Sequence, residues 1–293
     1  MTDDLVARIR RFNRAVTRET GALDNSFLDR GRPLGAARVL NAIGRGMGDL
    51  GRLRAYLGID SGLLSRLLRG LEREGLVETL ADPGDARRRI ARLTAQGEAE
   101  FAAYEDLSNA RAAALLTRHP RPEALVAAMD LVACALGQEQ IETAQEDPRC
   151  AVALACLASY YAELAGRLPG GFEVGRSRDP EAADMSAPRG SFRVAYADGL
   201  PVGCVGLKRR EADWAEVKRL WVAPAARGLG LARRLMAEIE ADAGALGVRL
   251  LRLDTNSALG EATEFYRRSG WREIARFNDD PYPDLFFEKA LCD

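Results

Sequence analysis

The chain has 293 residues, 47% of them hydrophobic, so it can bury ordinary globular cores and is long enough for about two domains. Its 42 Lys and Arg nearly balance its 43 Asp and Glu, so no whole-chain charge marks a nucleic-acid partner and any basic footprint is local. No apolar run reaches the ~20 residues of a membrane span, and the arginine-rich start (Arg8, Arg10, Arg11, Arg14) has no apolar core of signal length.

Five cysteines without C-x-x-C spacing suit a reducing cytoplasm, and a single histidine, His119, gives no basis for a metal site. Lysine occurs only at 208, 218 and 289. Every fixed positive charge before Lys208 is arginine. That suits phosphate and guanine contacts, but GC-rich coding is the favoured account.

Residues 4–20 read as an amphipathic helix, with Leu5, Ile9, Phe12 and Val16 at helical spacing. Gly31-Arg32-Pro33 breaks the chain. Helices are expected over 35–43 and 47–57, the second ended by Gly58. "DSGLLSRLLRGLEREGLVE" then offers Asp60 or Ser61 as an N-cap. Leu64, Leu67, Leu68 and Leu71 form one apolar face. Ser61, Ser65, Arg66 and Arg69 lie on the other. Gly75 stops the helix, 76–80 reads as a strand, Asp82-Pro83-Gly84-Asp85 as a turn, and 87–94 as a returning strand. Helix, turn, helix and an arginine-tipped hairpin make a winged helix-turn-helix. Such a helix fits a major groove, and such a hairpin a phosphate backbone or minor groove. Read alone, Arg66 and Arg69 are equally a solvated face.

"LLSRLLRGLEREGLVE" followed by "DPGDARRRIARLTAQG" resembles the MarR family of bacterial regulators. The pattern is carried by Asp85, Arg87, Leu93-Thr94 and Gly97. The resemblance covers residues 1–137. It implies that Ser61, Ser65, Arg66 and Arg69 meet DNA. It also implies that Asp85 and Arg87 brace the wing, with Arg88 and Arg89 near its tip. A homodimer through helices at 4–20, 97–118 and 121–136 is implied too.

In the second half, 140–144 reads as a short strand. Asp147-Pro148 is expected to open a helix whose Leu154, Leu157, Tyr161 and Leu164 face inward. A long polar loop follows over 168–190. "SFRVAYA", "PVGCVGLKRR" and "AEVKRLWVAP" read as an antiparallel meander. A loop and helix, a strand at "VRLLRLDTN", a helix at "EATEFYRRSG" and a closing strand at "LFFEKAL" complete a mixed sheet with helices on both faces. The glycines of Arg227-Gly228-Leu229-Gly230-Leu231-Ala232 sit between strand and helix, where backbone amides suit a pyrophosphate. The dinucleotide fingerprint and the P-loop both fail on the residues that follow.

This loop after "KRLWVAP", then "LRLDTN" and "EATEFYRRSGW", resembles the GNAT superfamily of acetyl-CoA-dependent N-acetyltransferases, over residues 138–293. The expected architecture is therefore a mainly α winged helix-turn-helix followed by an α/β mixed-sheet acyl-CoA N-acyltransferase fold. The resemblance implies that Arg227, Gly228, Leu229, Gly230, Leu231 and Ala232 cradle the CoA pyrophosphate. It places the backbone of Leu220, Trp221 and Val222 along the pantetheine arm, where adjacent strands splay, and Asn256 near the thioester. Glu216 is the base candidate, or else a strand carboxylate paired with Lys218 or Arg219. Asp254 is a second acidic candidate. Tyr266 is the acid candidate, or else a packing aromatic. Asn278, Asp279, Tyr282 and Glu288 either bind a cationic amine or tie the final strand down. The reading is a cytoplasmic bacterial fusion, nucleoid-associated when bound to DNA. It either acetylates a primary amine or only senses acetyl-CoA.

Overall fold

In a computed structural model, residues 2–82, 84–85, 88–177 and 184–291 are described. The chain divides into two compact units, Met1–Pro122 and Glu123–Asp293.

The first unit holds α1 (Thr2–Glu19), α2 (Leu34–Gly44), α3 (Leu50–Leu57), α4 (Ser61–Arg73), β1 (Val77–Ala81), β2 (Arg89–Leu93) and α5 (Ala95–Arg118). Its core joins Val39, Leu40, Leu53, Leu64, Leu68, Leu71, Leu76 and Ala91. Asp49 caps α3 through the Arg52 amide at 2.8 Å, so this helix starts three residues later than its apolar pattern suggests. Asp60 caps α4 through the Leu63 amide at 2.9 Å. Gly58, at φ +63°, turns the chain between the two. The hairpin pairs Val77 with Leu93 and Ala81 with Arg89. Thr94 fastens it to α5: its hydroxyl donates to the Gly75 carbonyl (2.6 Å) and accepts from the Gly97 amide (3.0 Å). The apolar stripe of α1 (Leu5, Ile9, Phe12, Val16) is exposed on the single chain.

The second unit holds α6 (Pro122–Leu136), β3 (Glu142–Gln145), α7 (Ala151–Arg167), β4 (Gly190–Ala197), β5 (Leu200–Arg209), β6 (Trp214–Val222), α8 (Leu231–Ala245), β7 (Leu250–Thr255), α9 (Gly260–Arg268), β8 (Arg272–Ile274) and β9 (Leu285–Ala290). The compact unit thus begins one helix earlier than residue 138, and Cys134 of α6 is buried in its core. The strand order is β3-β4-β5-β6-β7-β9-β8, and β6–β7 is the parallel pair within it. Strand alternation divides the sheet. Val205, Leu207, Ala215, Val217, Leu251 and Leu253 pack under Leu235 and Ile239 of α8. Phe192, Val194 and Cys204 pack under Ala153, Cys156 and Leu157 of α7.

Two local expectations are corrected, and one strand was not expected. Asp147-Pro148 does not open α7: Asp147 is chelated by Arg149 (2.9 and 2.7 Å), and Cys150 caps the helix instead. Leu154 is 52% exposed, because the buried stripe runs through Ala153, Cys156, Leu157 and Leu164. The three-residue β8 has no apolar alternation and exists by pairing with β9.

Gly97 is the tightest point of the first unit. A Cβ there would lie 1.9 Å from the Leu76 carbonyl oxygen. Gly97→Ala must push the hairpin off α5, and is expected to cost about 1–3 kcal/mol. A fall in the urea midpoint of this unit in the full chain checks it.

Candidate functional site

Strands β6 and β7 pair only from Trp214–Leu250 to Glu216–Arg252. Beyond that, β6 stays paired to β5 and β7 to β9, so their facing edges diverge. The divergence coincides with a bulge. Cys204 faces Trp221 and Gly206 faces Lys218, which leaves Arg219 and Leu220 opposite the single Val205. Arg219 has φ +60°, a left-handed conformation that costs a non-glycine residue about 1–2 kcal/mol. Its neighbours hold it there. The guanidinium lies 5.1 Å from the Tyr161 ring and 6.0 Å from the Tyr160 ring. The Cys204 thiol donates to the Arg219 carbonyl at 3.4 Å. A cavity of ≈ 90 Å³ occupies the gap. Val217, Lys218, Arg219 and Leu220 line one side, Asp254, Thr255 and Asn256 the other, and Tyr160, Leu164 and Tyr266 close it from α7 and α9.

The glycine loop follows β6. Gly228 and Gly230 have φ +79° and +78°, and Gly230 is the N-cap of α8. No side chain caps this helix, and no atom lies within 4 Å of a Cβ built on either glycine. A helix N-terminus without a side-chain cap fits an anion. Arg227 turns away from it. Its Nε donates to the Val222 carbonyl (3.0 Å) and its Nη2 to Glu163 (2.5 Å), which also accepts from Trp221 Nε1 (3.0 Å). Arg227 thus staples the loop to α7, and its own amide donates to the Pro224 carbonyl at 3.4 Å.

In the first unit, α4 buries Leu64, Leu68 and Leu71, which leaves Ser61, Ser65, Arg66 and Arg69 exposed together on the opposite face. At the hairpin the Arg88 amide donates to the Asp85 carbonyl at 2.8 Å. Arg88 lies 3.8 Å from Asp49, and Arg89 reaches back to the Thr79 carbonyl at 3.2 Å. Both arginines are exposed. Arg87 lies outside the described residues.

Comparison with known proteins gives both units a family. Residues 30–88 match the MarR family, and residues 188–273 match the acetyltransferase (GNAT) domain. The chain is 38% identical over 112 residues to the IAA acetyltransferase of Azospirillum brasilense, covering 36% of this chain and 72% of that protein. It is 31% identical over 120 residues to the aminoalkylphosphonate N-acetyltransferase of Salmonella typhimurium, covering 39% and 78%. The chain is a GNAT acetyltransferase joined to a MarR-family domain. Among solved structures, a GNAT-family acetyltransferase from Staphylococcus aureus aligns over 52% of this chain and 99% of its own, with 18% identity and a TM-score of 0.46.

Within the GNAT domain the named residues separate into two groups. Tyr266, Asn256 and Tyr282 line the cavity, as do Asp254 and Leu220. Glu216 does not. It is fully buried behind the wall, ion-paired to Arg210, 3.7 Å from Lys218 Nζ and 3.5 Å from Asn278 Nδ2. Lys218 and Asn278 connect it to Asp254. Lys218 Nζ lies 3.0 and 3.2 Å from that carboxylate, and Asn278 Nδ2 donates to it at 2.6 Å. Asn256 is engaged within the fold, donating to the Tyr282 carbonyl (2.6 Å) and accepting from the Ala258 amide (2.9 Å). Tyr282 exchanges hydrogen bonds with the Glu173 backbone at 3.0 and 3.2 Å. Asp279 is exposed, and Glu288 pairs with Arg272 and Arg252.

Sequence reasoning missed Tyr160 and Glu163, and named Lys218 only as a partner for Glu216, which it is at 3.7 Å. Tyr160 lies beside the inward Tyr161 of α7, and only the packing of this helix over the gap brings it to the wall. Glu163 had no signal in the sequence.

Burial raises the phenols of this wall, Tyr266 strongly and Tyr160 to about 12, with the Asp254 charge acting in the same direction. The folded state therefore keeps protons that unfolded tyrosines lose near pH ~10. The stability Tyr160 contributes is complete below that pH and is lost as pH rises through about 12, and that of Tyr266 is lost at still higher pH. The urea midpoint of the GNAT domain is expected to fall steeply above pH ~10, and Tyr160→Phe to lessen that slope.

Proposed function

We propose that the GNAT domain transfers acetyl from acetyl-CoA to a primary amine, and that the MarR domain binds operator DNA as a homodimer. The observation that carries the first part is the gap between β6 and β7, opening beside an uncapped helix N-terminus. In this reading the amides of Arg227–Ala232 hold the pyrophosphate. The free edge of β6 at Leu220, Trp221 and Val222 takes the pantetheine as a false strand, and the Val222 amide steadies the developing oxyanion. Acetyl-CoA supplies the activated acetyl group.

The proton of the attacking amine goes to Asp254, the carboxylate on the cavity wall. Glu216, the base candidate by position along the strand, acts from behind it by fixing Lys218. Tyr266 stays protonated by burial and donates to the leaving thiolate. Asn256, Asn278 and Tyr282 hold the acceptor-side loop, with Asp279 at its rim. The name of the Salmonella relative favours a small amine over a protein lysine.

A second reading, acetyl-CoA sensing without turnover, draws on one observation: Asp254 is already paired with Lys218. Calorimetry with acetyl-CoA and thiol release across a panel of small amines separate the two. Binding with no thiol release from any amine overturns the enzyme reading. If turnover is found, Asp254→Asn is expected to lower kcat about 10²–10⁴-fold with little change in KM.

For the MarR domain, the exposed Ser61, Ser65, Arg66 and Arg69 read a major groove, and the wing arginines Arg88 and Arg89 follow the backbone. Dimerisation uses the exposed stripe of α1. The place of action is the bacterial cytoplasm, on the nucleoid when bound to DNA. Replacing Arg66 and Arg69 together by Glu is expected to weaken operator retention by about 100-fold or more. Unchanged retention contradicts the assignment.

A further inference from the structure

Of the three lysines in the chain, one lines the proposed acyl-transfer cavity. Lys218 is 8% exposed and immediately precedes the bulged Arg219. Its Nζ lies 3.0 Å from Asp254 and 3.7 Å from Glu216. Lys208 and Lys289 pair elsewhere, with Asp184 at 3.0 Å and with Glu240 at 2.7 Å.

The amine of Lys218 therefore has what an acceptor requires. It is in the cavity, and a carboxylate at hydrogen-bond distance can take its proton. It is also tethered there, which removes the entropic cost of bringing two reactants together. We propose that Lys218 is itself an acetyl acceptor, modified by the domain's own acetyl-CoA when no amine substrate is bound. The inference rests on the acetyl-transfer reading given above. In the step, the Nζ ammonium gives one proton to Asp254, and the neutral amine forms a C–N bond to the acetyl carbon. The C–S bond breaks, the second Nζ proton passes to the CoA thiolate, and the products are acetyl-Lys218, CoA thiol and protonated Asp254.

The ion pairs to the two carboxylates must break before Nζ can attack, so a bound amine substrate wins when present. The product is neutral. It removes the cation between Asp254 and Glu216 and fills part of the ≈ 90 Å³ cavity. Modification is therefore a brake that sets in when acetyl-CoA is plentiful and acceptor is scarce.

The test is incubation of the full chain with acetyl-CoA and no amine, followed by intact-mass measurement and peptide mapping. The expected result is a gain of one acetyl group on the Lys218 peptide, with amine-dependent turnover lost in step with the modified fraction. Lys208→Arg keeps the label and Lys218→Arg loses it. If Lys218→Arg fails to fold, mapping of the unaltered chain decides alone. A chain that acetylates an added amine but leaves Lys218 unmodified, or that carries acetyl equally on all three lysines, overturns this inference and leaves the acetyltransferase reading standing. A chain that does not bind acetyl-CoA overturns both.

Discussion

The loss of pairing between β6 and β7 beyond Glu216 and Arg252 is the constraint on which the proposed site depends. Backbone groups inside a sheet are normally paired with a neighbouring strand. Here the edge of β6 from Val217 to Val222 lacks such a partner on its β7 side, and Arg219 adds a residue to the strand in the same stretch. The strain at Arg219 is held by the two tyrosine rings of α7 and by the Cys204 thiol. The helix that covers the sheet thus also keeps it open. An extended ligand that pairs with the β6 edge would complete the sheet.

The same opening decides which polar groups face a ligand. Strand alternation places Glu216, Lys218 and Asp254 on one side of the sheet. Glu216 stands where the strands still pair and is sealed. Lys218 and Asp254 stand where they have parted and line the cavity. A difference of two residues along β6 separates a buried ionic anchor from a group at the site.

Much of this was legible in the sequence. The winged helix was readable because Asp60, the Leu64–Leu71 face and the Asp82–Asp85 turn are local signals. The glycine loop was readable because its neighbours occur in a fixed order. The less legible features depend on tertiary contacts. Nothing local marks Arg219 as the bulged residue, since its left-handed backbone is stabilised by Tyr160 and Tyr161, far off in the chain. The depth of Glu216 depends on where pairing ends. The Asp147-Pro148 signal was real chemistry spent on a different contact, the pair with Arg149.

Hydrogen exchange with and without acetyl-CoA tests the central claim most directly, because it reads the backbone amides of the gap and the cradle. Slowed exchange at Leu220–Val222 and at Arg227–Ala232, together and in proportion to occupancy, is the result expected if the arm lies as a false strand against β6. Binding that leaves these two segments exchanging as in the free protein would contradict the account.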